Sequence, residues 1–296
     1  MASTKGIVLL AFGKPQYMWF ACQMALSIKA LTKYPVQLIS DGSVGYIPNS
    51  YRQLIDEWTF MKPEHLRRNG NIDPGWAKVN IYPYLVFDES IYLDVDGIVI
   101  NGQKTLSDAF ELCNEFYHAE VIGIGKKEDK IEYSIWAEHK NIWKHFGLEE
   151  DQELASVQSS FQYYRKSPEA QKLHSLMVKY YDFPVNELSN TWGGTIPDEL
   201  IISGACAKMK HIPILNDGRG PEDKVVFFGH KRNKLTIPQI KQKYAVLSLY
   251  GNGKRQRLVS STYLDYYDRL LYAYGRQMNI QPIQKAFQLM KHKHVG

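Results

Sequence analysis

Asp94 and Asp96 stand one residue apart in Ile91-Tyr92-Leu93-Asp94-Val95-Asp96-Gly97-Ile98-Val99-Ile100. Apolar runs rich in Ile and Val on both sides predict buried strand. On a continuing strand, side chains two apart point the same way. Two carboxylates that converge in this manner repel each other. The usual compensation is a divalent cation that prefers hard oxygen ligands, Mg2+ or Mn2+. Gly97 removes side-chain bulk just beyond the pair. An ordinary acidic exit from a strand has the same spelling, so the flanking elements must decide between the two.

Those elements alternate. Gly6–Gly13 reads as a strand, Tyr17–Leu31 as a helix, Pro35–Ser40 as a second strand ending at Asp41-Gly42, and Tyr51–Trp58 as a helix. Trp76–Phe87 is a helix candidate leading into the acidic strand, although an interior Pro83 would cost it about 3 kcal/mol. This β-α-β-α-β order predicts a mostly parallel sheet with helices on its faces. Ligands of such sheets bind beyond the carboxyl ends of the strands. Phe12–Lys14, Asp41 and the Asp94/Asp96 pair all fall at such ends, where they could share one crevice. Further on, Thr105–Phe116 reads as helix, Val121–Gly125 as a short strand and Lys126–Glu153 as a charged helical insertion. Ser156–Tyr164 alternates as a strand. Pro168–Tyr181 is an amphipathic helix opened by Ser167, and Asp198–Ala207 is a short helix. A strand lies within Val225–Lys234, and helices follow at Tyr263–Met278 and Ile283–Lys291.

The chain has 296 residues, 44% of them hydrophobic and 23% charged, which is an ordinary globular profile. No apolar run approaches the roughly 20 residues that span a bilayer, and the N-terminal run is too short for a signal peptide. Cys22, Cys113 and Cys206 are far apart and lack C-x-x-C spacing, which points to a reducing, cytoplasmic setting without a zinc site. Charge is unevenly spread: from Lys208 onward there are 17 Lys and Arg against 5 Asp and Glu. Such a basic stretch fits either a solvated tail or an anionic partner: nucleotide phosphate, lipid headgroup or nucleic acid. The region beyond about Pro238 reads as an appended segment, giving a catalytic part over 1–238 and a basic helical extension over 239–296.

Four stretches in this order resemble the GT-A-type glycosyltransferases, specifically the glycogenin and lipopolysaccharide galactosyltransferase group. They are Ile7–Tyr17, Gly75-Trp76-Ala77-Lys78 through to Asp96, Ser159–Tyr164, and Ile196-Pro197-Asp198-Glu199 with the later Phe227-Phe228-Gly229-His230-Lys231. The likeness runs over roughly residues 5–235 as scattered motifs. It implies a Rossmann-like, mostly parallel mixed sheet flanked by helices, with a C-terminal helical extension. The family's Asn-Ala-Gly sequence is here Gln158-Ser159-Ser160, its Asp-Gln pair is Asp198-Glu199, and its late His-x-x-Gly-x-x-Lys order is not kept.

The resemblance implies a nucleotide sugar, UDP-linked, bound through its pyrophosphate to Mn2+ or Mg2+. Asp94, Asp96 and His230 would be the metal ligands. Phe12, Gly13 and Tyr17 would border the base, and Asp41 would accept a hydrogen bond from base or ribose, although Asp-Gly is equally a turn signal. Lys78, Lys231 and Lys234 would meet the donor's phosphates or sugar. Asp198 would touch sugar hydroxyls, its alternative being a helix N-cap. Glu199 could accept the acceptor's proton. The acceptor would be a glycan or lipid-linked sugar, with nucleic acid or a peripheral membrane contact permitted by the basic segment. Retention of configuration is implied by the resemblance alone.

Two rivals remain at this level. Asp94-Val95-Asp96-Gly97 also spells the first motif of haloacid dehalogenase-type phosphatases, but about 90 residues precede it here, whereas that motif opens its fold. The other rival is a fold of the same kind that binds glycans without catalysis.

Overall fold

The computed structural model describes residues 4–42, 47–102, 105–125, 136–150, 152–189, 191, 194–214, 225–229, 234–249 and 260–281. The chain forms two compact units, one holding Thr4–Phe60, Ile91–Leu112 and Lys224–Gly296, the other Met61–Ser90 and Cys113–Asp223.

In the first of these, the apolar run of β1 (Lys5–Ala11) is buried from Gly6 onward. The chain turns at Gly13, whose φ of 80° is costly for other residues, and enters α1 (Pro15–Leu31) with proline at its first turn, where no N–H is missed. β2 (Val36–Ser40) pairs parallel with β1. A short α2 (Asn49–Arg52) precedes β3 (Glu57–Phe60), which pairs parallel with β2. The helix expected over Tyr51–Trp58 is therefore only one turn. The Asp56 carboxylate accepts the Val36 N–H at 2.7 Å and meets Lys29 at 2.6 Å, which ties this segment to the sheet as a strand.

The next elements belong to the second unit: α3 (Pro63–Leu66), the hairpin β4 (Arg67–Arg68) and β5 (Asn71–Ile72), and α4 (Pro74–Val79). Asp73 caps α4 by accepting the Trp76 N–H at 3.0 Å. The helix thus starts before the expected Trp76. It ends at Val79, and Pro83 lies in a separate 3-10 turn over Tyr82–Tyr84. Then come β6 (Glu89–Leu93), β7 (Gly97–Val99), α5 (Leu106–Leu112) and β8 (Tyr117–Gly125). The sequence predicts one strand through the acidic motif, and the chain makes two. β7 leaves the main sheet and pairs antiparallel with β11 (Val246–Ser248), itself parallel to β10 (Val226–Phe228).

α6 (His139–Phe146) closes on Gly147 in the left-handed region, φ 58°. β9 (Leu154–Arg165) pairs antiparallel with β8. It is followed by α7 (Pro168–Lys179), capped by Ser167, and α8 (Asp198–Lys208). α8 is buried on nearly every face, against β9, α4, α6 and α7. Its N-cap position is Pro197, so Asp198 is the first helical residue and not the cap. Last are α9 (Ile237–Lys243) and α10 (Ser261–Gln277), the latter packed on α1. The helix expected over 283–291, and the insertion from 126 to 135, lie outside the described residues.

The main sheet has six strands in the order β3-β2-β1-β6-β9-β8, mostly parallel and flanked by helices.

Candidate functional site

The break between β6 and β7 places Asp94, Val95 and Asp96 in a tight connection rather than along a strand. Leu249 donates its N–H to the Asp96 carbonyl at 2.9 Å, which fixes the turn. Gly97 leaves little room: a Cβ there would lie 3.0 Å from Met24 Cε and 3.1 Å from the Leu247 carbonyl. Both carboxylates are half-buried. The Tyr92 hydroxyl donates to Asp94 Oδ1 at 2.5 Å, and Ser248 Oγ lies 3.4 Å from Asp96 Oδ1. Tyr17, on the first turn of α1, is close enough to feel both acids. Burial first, then Asp96 and Asp94, raises its phenol above the ordinary value. From the far side, the Tyr267 hydroxyl of α10 reaches Gln23 Oε1 at 2.7 Å and the Gly97 carbonyl at 3.5 Å.

Gly13 is exposed, and its N–H donates to Asp41 Oδ2 at 2.9 Å. Asp41 and Gly13 therefore meet, with Asp41 fastening the loop that carries Phe12 and leads to Tyr17. Phe12 is half-buried. His230 and Lys231 lie outside the described residues. Lys234 is exposed just before α9, and no contact among the described residues ties it to the acids.

The other unit carries a separate cluster. Lys78, on α4, donates to Ser159 Oγ of β9 at 3.2 Å and stands 3.8 Å from Asp198 Oδ2. Glu199 Oε2 accepts the indole N–H of Trp136 at 2.8 Å, and Oε1 accepts the Ser159 N–H at 3.4 Å. Burial and then the Asp198 carboxylate push the Glu199 carboxyl up to about 7, against the opposing pull of Lys78 and the two N–H donors. Near neutrality this group can both hold and release a proton. Below it, Gln162 accepts the hydroxyls of Tyr117 and Tyr164 and donates to the Ser159 carbonyl at 3.2 Å. The close approach of α4 to the segment before α8 requires Gly75, where a Cβ would lie 2.6 Å from the Ile196 carbonyl and the Tyr181 hydroxyl.

Sequence reasoning did not single out Tyr92, Ser248 or Trp136. Tyr92 stands two residues before Asp94 at the end of β6, so its contact is a local one. Trp136 and Ser248 reach the acids through tertiary folding, which no local pattern announces.

No protein-family model matches the chain, and no curated protein sequence does. Solved structures do match. The galactosyltransferase LgtC, determined in complex with donor and acceptor sugar analogues, aligns over 96% of this chain and 99% of its own, with a TM-score of 0.55 and 12% identity. The bifunctional glycosyltransferase WbbM aligns over 98% of this chain and 52% of its own, with a TM-score of 0.58 and 11% identity. GlyE of Streptococcus pneumoniae TIGR4 aligns over 98% and 64%, with a TM-score of 0.54 and 11% identity. The chain has the GT-A glycosyltransferase fold. Five strands, β1 to β5, precede β6 and the acidic turn that follows it. The dehalogenase alternative, which needs its acids on an opening strand, loses its structural basis.

Asp94 and Asp96 suit a hard divalent cation. Both offer carboxylate oxygens from one fixed turn, half-buried, with hydroxyl donors on the acids. Among the described residues no group of three or more His, Cys, Asp or Glu side chains could hold a metal. His230, the third ligand that the resemblance implies, lies outside the described residues, and water and substrate oxygens commonly complete the shell of Mg2+.

Proposed function

We propose that this chain transfers a sugar from a UDP-sugar to a glycan or lipid-linked glycan acceptor, with Mn2+ or Mg2+ held by Asp94 and Asp96. The observation that carries the reading is the fixed D-x-D turn with Tyr17 beside it, in a GT-A fold. When bound, the cation would supply Lewis acidity toward the leaving diphosphate. Tyr17 and Phe12 offer aromatic faces to the base, and Gly13, tied by Asp41, lets backbone approach closely. Lys78 offers positive charge to the donor, and Asp198 offers acceptors to sugar hydroxyls. Glu199 is the group on which an acceptor hydroxyl proton can rest, because its affinity for a proton lies near neutral pH.

The test is release of UDP from a panel of UDP-sugars with candidate glycan acceptors. Release is expected with Mn2+, and it should vanish with EDTA and in Asp96→Asn. Glycan binding that ignores both metal and nucleotide would instead favour the non-catalytic reading.

A further inference from the structure

A short hydrogen bond to Asp94 comes from a residue that the sequence pattern treats as part of the core. Tyr92 lies on β6 with 2% of its surface exposed. Its hydroxyl reaches Asp94 Oδ1 at 2.5 Å, within the short range of O–H···O bonds to an ionised carboxylate. Tyr92 is the next-to-last residue of β6, and Asp94 follows one residue beyond the strand's end, where the turn brings its carboxylate back to the Tyr92 hydroxyl. A buried tyrosine must find a partner for its hydroxyl, and the ring is held by the packed strand. The phenol therefore works as a rigid arm that sets the rotation of the Asp94 carboxylate.

We infer that Tyr92 is a positioning residue for the cation at Asp94: its hydroxyl orients the carboxylate for metal binding. This inference rests on the metal-dependent reading above. Ser248 meets Asp96 through a longer contact of 3.4 Å. Residues that hold metal ligands in place typically change metal affinity by about 10- to 100-fold when altered.

The experiment titrates Mn2+ into protein saturated with UDP, comparing wild type with Tyr92→Phe, and follows binding by calorimetry. The thermal midpoint of each protein in EDTA serves as the check on folding. The expected result is a loss of Mn2+ affinity of about tenfold or more in Tyr92→Phe, with little change in the EDTA midpoint. Equal Mn2+ affinity, within about twofold, would overturn the positioning role while leaving the metal reading intact. A wild type that binds no Mn2+ would overturn both.

Discussion

Two acids one residue apart are tolerated when something compensates their charge. Here Asp94 has the Tyr92 hydroxyl and Asp96 has Ser248, but these donors are neutral, and a cation is the stronger compensation. Asp94→Asn and Asp96→Asn should each abolish metal-dependent UDP binding while leaving the unfolding midpoint in EDTA equal to or above wild type, since like-charge repulsion is relieved. Calorimetry and thermal unfolding together check this. Glu199 gives a second residue-scale prediction. Its proton affinity is raised by burial and by Asp198, so the folded chain keeps a proton up to about pH 7 that the unfolded chain releases near 4.3. The native state thus binds more protons across that window, and its stability falls as pH rises through it. Glu199→Gln should remove this fall, on the order of 1–3 kcal/mol given that the side chain is half-buried, as read from urea midpoints at pH 5 and pH 8. A variant with the same slope as wild type would show that Glu199 ionises normally.

Elements decide what these residues can do. α8 is buried all round because it sits between β9 and three helices, and its closest contact is Gly204 on Phe146 of α6. A Cβ at Gly204 would come within 2.2 Å of the Phe146 ring. Gly204→Ala should therefore destabilise the fold by about 1–3 kcal/mol despite the better helix propensity of alanine. A neutral or raised thermal midpoint would contradict this packing. The elements also show where sequence patterns stop. β1 and β2 are legible as short apolar runs buried on both faces, and α7 by its amphipathic period, with Ser167-Pro168 marking its start. The helix expected over Tyr51–Trp58 overlaps the first two residues of β3, whose exposed and half-buried Glu-Trp-Thr-Phe becomes a strand by pairing with β2. The strand expected through Asp94 and Asp96 breaks because β7 finds its partner in β11, about 150 residues later. The positions of the acids, Lys78 and Glu199 were legible as residue types at strand and helix ends. Their partners Trp136 and Ser248 were not, because each is brought in by long-range folding.

At the scale of the whole molecule, identities of 11–12% to LgtC, WbbM and GlyE accompany alignment over nearly all of this chain. What is shared is the fold, which depends on buried pattern more than on residue identity. Among the described residues no helix is long and apolar enough to cross a membrane. A chain that uses metal and nucleotide together should be stabilised by them only together. UDP at about 100 times its dissociation constant, with Mn2+, should raise stability by about 2.7 kcal/mol, and UDP in EDTA should leave it unchanged. The most direct measurement of the central claim is calorimetric titration of UDP, with GDP and ADP as controls, in Mn2+ and then in EDTA. The account predicts UDP binding that requires Mn2+ and disappears in Asp96→Asn. Absence of nucleotide binding under either condition, or UDP binding indifferent to EDTA and to Asp96→Asn, would contradict it.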